Sequence, residues 1–211
     1  MADIPRISVR RSLAIATAEE HERLHDHPWI ASLLEPGLTA DRYCLIMSAY
    51  LEFFQSLEEL RLGMNALAEC SLRSNIEALR RDTIGGESYC RPMVQIDLAH
   101  VALSRDALLG ALYVVHGAGF GARTLLNAVQ TALPGAGVSY LSGGTAPQLW
   151  RALLAELERL ADAPWRQQDL CESAAETFVS FGRFVTDYCE CAHKPLQGGA
   201  RQRKCADLGR Y

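Results

Sequence analysis

The sequence predicts an all-α protein, a single-domain multi-helix bundle. Three observations predict it. No stretch combines period-two alternation with β-branched residues. Long segments rich in Ala, Leu, Glu and Arg recur between Gly and Pro stops. Several of these segments open on Ser or Thr and carry apolar residues at three- and four-residue spacing. At 211 residues the chain can bury a full core in one domain. It contains no internal repeat.

Taken in order, the chain from Ser8 to Leu34 favours helix until Pro36-Gly37 stops it. Thr39 is the N-cap of the next helix, where Tyr43, Ile46, Met47, Tyr50, Phe54 and Leu57 form a stripe that faces a core. Gly85-Gly86 and Pro92 cut the middle of the chain into short pieces. Ser104 then caps a long apolar helix that runs through Gly117-Ala118-Gly119-Phe120-Gly121 to about Ala132, where Leu133-Pro134-Gly135 ends it. After a loop containing Gly143-Gly144, Thr145 caps a helix to about Leu160, and a last long helix spans about Trp165 to Cys191. The helical domain is expected over 1–195, with 196–211 a polar, basic and mobile tail.

Composition narrows the function classes. No apolar run reaches the roughly eighteen residues of a membrane span, so no membrane association is expected. The first twenty residues carry charges and Pro5 in place of a continuous apolar stretch, which argues against a secretory signal and for the cytoplasm. A formal net charge of −4 argues against nucleic acid as a partner. The basic residues are 19 arginines and two lysines, Lys194 and Lys204, a bias that an arginine-heavy genome explains, so function is read only into arginines at particular positions. Seven cysteines, an odd number, fit free buried thiols of a reducing compartment better than a disulfide framework. The run Cys189-Glu190-Cys191-Ala192-His193 reads as two half-buried thiols at a helix end; structural zinc is the alternative, without a second ligand pair of standard spacing.

Two runs carry chemistry. In Thr17-Ala18-Glu19-Glu20-His21-Glu22-Arg23-Leu24, Thr17, His21, Leu24 and Pro28 share a helical face, so His21 sits among apolar neighbours with a hydroxyl one turn away. An imidazole so placed can bind iron through one ring nitrogen while the other is held by a hydrogen-bond partner. In the second run, Gly117, Gly119 and Gly121 each cost about 1 kcal/mol of helix propensity relative to alanine. Either two helices pack closely there or a flat ligand lies against the backbone where the helix kinks.

Together these residues resemble the heme oxygenases, especially the bacterial biliverdin-producing ones. From Thr17 to Glu58 the chain follows the family's first two helices in the pattern Thr-x3-His, Leu-Thr-x3-Tyr and Leu-Glu, with His21 at the position of the iron ligand. The stretch from Leu109 to Gly121 is similar to the family's distal helix, with Gly117 and Gly121 matching its glycines. Gln148-Leu149-Trp150-Arg151 resembles the segment whose arginine binds a heme propionate. Ala174 to Phe184 resembles the helix that closes the pocket, with Phe178 matching a heme-contacting aromatic.

The resemblance implies a helical domain with heme between the first helix and a kinked distal helix. Heme would be cofactor and substrate, cleaved with O2 and an external electron donor to biliverdin, CO and iron. It implies His21 as metal ligand, Gly117 and Gly121 as the oxygen pocket, and Arg11, Thr17, Arg151, Ala118 and Phe178 as heme contacts. Implied partners are a ferredoxin, flavodoxin or reductase as donor and a bilin-binding photoreceptor as product acceptor; iron acquisition would use the same reaction.

Three positions depart from the family pattern. Ala14 stands seven residues before His21, where the bacterial members place an arginine; Arg11, on the same face, is the substitute cation. His25 replaces the glutamate that orients the ligand imidazole, which implies a less basic ligand. Ala118 replaces a polar residue that helps organise distal water. These departures motivate an alternative, a non-catalytic heme carrier or sensor on the same scaffold, with His116 or His25 as a second axial ligand. A further alternative is an unrelated enzyme on this scaffold, such as a thiaminase-like protein.

Overall fold

The computed structural model describes residues 8–83, 92–143 and 145–193, with the side chains of Pro164 and His193 excepted. The polar tail and Gly85-Gly86 lie outside the described residues. Among the described residues nine α-helices follow one another: α1 (Val9–Ala16), α2 (Ala18–His25), α3 (Pro28–Ala31), α4 (Ala40–Gly63), α5 (Arg73–Thr83), α6 (Arg105–Ala132), α7 (Ser139–Gly143), α8 (Pro147–Glu158) and α9 (Pro164–His193). Among the described residues there is no strand, and no helix is long and apolar enough to cross a membrane.

The core is built on α4, α6 and α9. The expected stripe of α4 is buried throughout, from Tyr43 to Leu57, and the Thr39 hydroxyl accepts from the Arg42 amide as an N-cap should. Ser104 caps α6 in the same way, through the Ala107 amide. Helices α6 and α9 form the principal packing pair. Their backbones approach closely at Gly110, where a Cβ would be driven into the Leu170 carbonyl oxygen and would meet the Ala174 nitrogen at 3.1 Å. The Ser173 hydroxyl donates to the Ala107 carbonyl across the same seam at 2.8 Å.

A buried ion pair braces the far end of α4. Arg61 donates to both carboxylate oxygens of Glu58 at 2.9 Å, and the Ser71 hydroxyl and the Leu72 amide complete the shell. Burial pushes the Glu58 carboxyl up, but these donors together outweigh it and leave it below its ordinary range. Glu58, which the sequence offers only as part of a family pattern, therefore acts in the scaffold.

Three expectations are corrected. The segment from Ser8 to Leu34 is not one helix but α1, α2, α3 and a 3-10 turn over Ser32–Leu34. The first break is at Thr17, whose backbone (φ −104°, ψ −1°) departs from the helical values, while its hydroxyl donates back to the Leu13 carbonyl. The second precedes Pro28, which forces His27 into extended backbone (φ −65°, ψ 126°). Thr145 does not cap α8; Ala146 does, while the buried Thr145 hydroxyl donates to the His116 carbonyl. The loop before it contains the short helix α7.

Candidate functional site

A cavity of about 770 Å³ lies between α1–α2 and the middle of α6, closed by residues of α4, α7, α8 and α9. That volume falls within the range of small-molecule and cofactor sites. His21 stands on its α2 wall. The imidazole side chain is 52% exposed, Glu22 Oε1 lies 3.9 Å from its Nδ1, and the ring meets Phe178 edge-on at 5.7 Å between centroids. His25 packs edge-on against the same ring at 4.5 Å. Thr17, Ala14 and Ala18 line the cavity one and two turns back.

The opposite wall is α6, which stays α-helical through its glycines. Gly117, Ala118 and Gly121 all line the cavity, and a Cβ built at Gly117 or Gly121 meets no atom within 4 Å. Close helix packing therefore does not account for these two glycines; it accounts for Gly110. The bare backbone widens the cavity instead. Tyr113, Phe120 and Trp150 form an aromatic cluster at one end, with ring centroids 5.7 and 5.0 Å from Trp150, and the Arg10 guanidinium lies 6.0 Å above the Trp150 ring. At the inner end are Met47, Tyr50 and Tyr140.

The structure thus gathers Thr17, His21, Gly117, Ala118, Gly121 and Phe178 around one space. Arg11 and Arg151 are exposed and do not line it. Their neighbours Arg10 and Trp150 do, so the lining cation of α1 is one residue earlier than the helical alignment suggests. His116 is not positioned as a second axial ligand. It is fully buried, its Nε2 is 2.9 Å from the Cys70 carbonyl oxygen, and it faces away from the cavity lining; burial lowers its pKa. Cys189 is buried, its thiol pushed up to about 12 by burial, while Cys191 is exposed, so the two thiols are not alike.

Tyr140, Tyr50, Trp150 and Arg10 were not predicted as site residues. The aromatic residues at 113, 120 and 150 were visible in sequence, but nothing local joined position 150 to the other two. Tyr140 was hidden in a segment whose glycines and serine read as loop.

The residues present fit a large, flat, mostly apolar ligand carrying a metal. The lining is chiefly apolar, the two glycines leave open space, and two imidazoles of α2, His21 and His25, line it. Imidazoles on one wall suit an iron whose in-plane positions are filled by a macrocycle of its own.

Comparison with solved structures identifies the class of architecture: the chain has the fold of the heme oxygenases. The structure of heme oxygenase from Leptospira interrogans superposes with a TM-score of 0.68 at 18% identity, covering 86% of this chain and 100% of that one. Heme oxygenase-1 from the cyanobacterium Synechocystis, solved in complex with heme, superposes with a TM-score of 0.62 at 15% identity, covering 86% of this chain and 92% of that one. No family model and no curated protein sequence matches the chain.

Proposed function

We propose that the chain is a heme oxygenase that holds heme in the α1–α2/α6 cavity. The observation that carries this reading is the pairing of His21 on one wall with the open backbone of Gly117 and Gly121 on the other. When bound, heme supplies the redox chemistry and is itself the substrate, cleaved with O2 and external reducing equivalents to biliverdin, CO and iron.

The protein's part is to bind, orient and shield. His21 would hold the iron through its imidazole, with Glu22 Oε1 3.9 Å from its Nδ1. Phe178 and His25 hold the imidazole plane by edge contacts from two sides. Gly117, Ala118 and Gly121 would give the macrocycle a wall of α6 with open space beside it. Arg10 lines the cavity, whereas Arg11 and Arg151 are exposed and do not. Arg10, on an α1 that packs against α8, is the cation that would hold a propionate. An electron donor of the ferredoxin, flavodoxin or reductase type completes the reaction.

A second reading, heme binding without turnover, is supported by Ala14 and Ala118, which place methyl groups where a cation and a polar side chain would otherwise face the ligand. One experiment separates the two. Hemin is added to the purified protein, the Soret band recorded, and ascorbate and air supplied with catalase present. Decay of the Soret band with growth of biliverdin absorption is the expected result; a stable Soret complex sinks catalysis and leaves the carrier. His21→Ala is expected to remain folded, because its helix tolerates alanine, and to lose the ligand-to-iron signature of the ferric complex. An unchanged spectrum would remove His21 as the ligand.

A further inference from the structure

We propose that the Tyr140 hydroxyl is a positioning group of the cavity's inner wall, a hydrogen-bond donor that orients a small polar ligand, water or a diatomic molecule, bound beside the heme. The inference rests on the reading of the cavity as a heme site. Tyr140 is 2% exposed, lines the cavity, and its hydroxyl oxygen is buried without a hydrogen-bond partner among the described residues. Five other buried polar atoms share that condition, on His27, Gln55, Asn75, His116 and Ser180, and none of those residues lines the cavity. A buried hydroxyl without a partner is costly, so it is retained where something else supplies the partner.

The placement of Tyr140 is held from several directions. The buried Asp82 carboxylate accepts from the amides of Ser139 and Tyr140 at 2.7 and 2.8 Å, which fastens the start of α7 to α5. The Tyr43 hydroxyl donates to the Gly137 carbonyl at 2.8 Å, which fixes the approach to α7. The Tyr140 ring is wedged between Tyr50 and Phe54, each 5.8 Å away between centroids. A ring so confined cannot turn its hydroxyl to a partner elsewhere. Burial raises its pKa well above the ordinary tyrosine value, so it stays protonated and remains a donor across the physiological range. Tyr140 thereby supplies on α7 a polar group that Ala118 does not supply on α6.

The test compares wild type with Tyr140→Phe, which keeps the ring and removes only the hydroxyl. Each protein is titrated with hemin, and each ferric complex is then titrated with fluoride, a small anion that accepts hydrogen bonds; the apo proteins are unfolded in urea. The expected results are equal Soret complexes, fluoride affinity weaker by about two- to tenfold in the variant, and an apo midpoint unchanged or higher. Equal fluoride affinity overturns the inference. So does a lower apo midpoint, since the hydroxyl would then have a partner within the protein. A wild type that forms no Soret complex overturns the heme reading itself, and the ligand named here with it, before any variant is compared.

Discussion

The two halves of α6 use glycine in opposite ways. At Gly110 the missing side chain lets α9 approach until the Leu170 carbonyl occupies the space a Cβ would take. Two and three turns later, at Gly117 and Gly121, the same omission faces open space on a cavity wall. Helix propensity charges all three positions alike, about 1 kcal/mol each. What differs is what stands opposite: a helix backbone in the first case, room for a ligand in the second. A glycine in a helix is therefore interpretable only through its partner, and the partner is a tertiary fact.

The largest effect expected from this contrast is at the packed end. Gly110→Ala cannot be relieved by a side-chain rotation, because the obstructing atoms are backbone atoms of α9. Separating α6 from α9 would loosen the main seam of the core, and a loss of about 3 kcal/mol or more is expected, read as a lower urea midpoint. A Gly110→Ala protein as stable as wild type would show that the seam yields easily and would dissolve the contrast.

The contrast also marks what can be read from sequence. The scaffold was legible where one element announces itself: the α4 stripe, the Thr39 and Ser104 caps and the last helix all follow from local spacing. The break at Thr17 was not, since threonine is tolerated in helices and makes the same back-bond inside α6 and α9; only the Thr17 backbone (φ −104°, ψ −1°) marks the break. That break also explains the arginine shift. Counting 3.6 residues per turn from His21 back through Thr17 assumes a continuous helix, whereas α1 and α2 are separate and Arg10 takes the lining position. Within the site, Thr17, His21, Gly117, Ala118, Gly121 and Phe178 were named from pattern and converge on one cavity. Tyr140 was not, because its position depends on Asp82, some sixty residues distant in sequence.

Acid is expected to act mainly on the packed scaffold. Burial lowers the pKa of His27, His100 and His116 below the ordinary 6.5. In Glu58 and Glu156 burial opposes the shift, but arginine partners, with further hydrogen bonds at Glu58, outweigh it and lower the carboxyls below 4.5. In each case the unfolded chain binds more protons than the folded one within the window, so stability rises with pH there. The histidine contribution is complete above about 6.5 and is lost as pH falls from there through the lower folded-state values; the carboxylate contribution is complete above about 4.5 and is lost as pH falls from there through the folded-state values. Urea midpoints from pH 8 to 4 should fall in this order, and His116→Gln, which keeps a donor for the Cys70 carbonyl, should flatten the upper step. A midpoint independent of pH between 8 and 5.5 would show that these histidines do not govern it.

The smallest effect is the most discriminating, because its sign opposes that at Gly110. Gly121 is exposed toward the cavity within a continuous helix, so Gly121→Ala removes backbone entropy from the unfolded chain and adds a methyl group that meets nothing. The apo protein should gain up to about 1 kcal/mol. The same methyl group occupies the space in which the macrocycle would lie against α6, so hemin affinity should fall while stability rises. Opposite movement of the two quantities, measured on one variant by urea unfolding and hemin titration, is the signature of a residue kept for its ligand. A Gly121→Ala protein that gains stability and binds hemin as well as wild type would place the macrocycle away from this turn of α6.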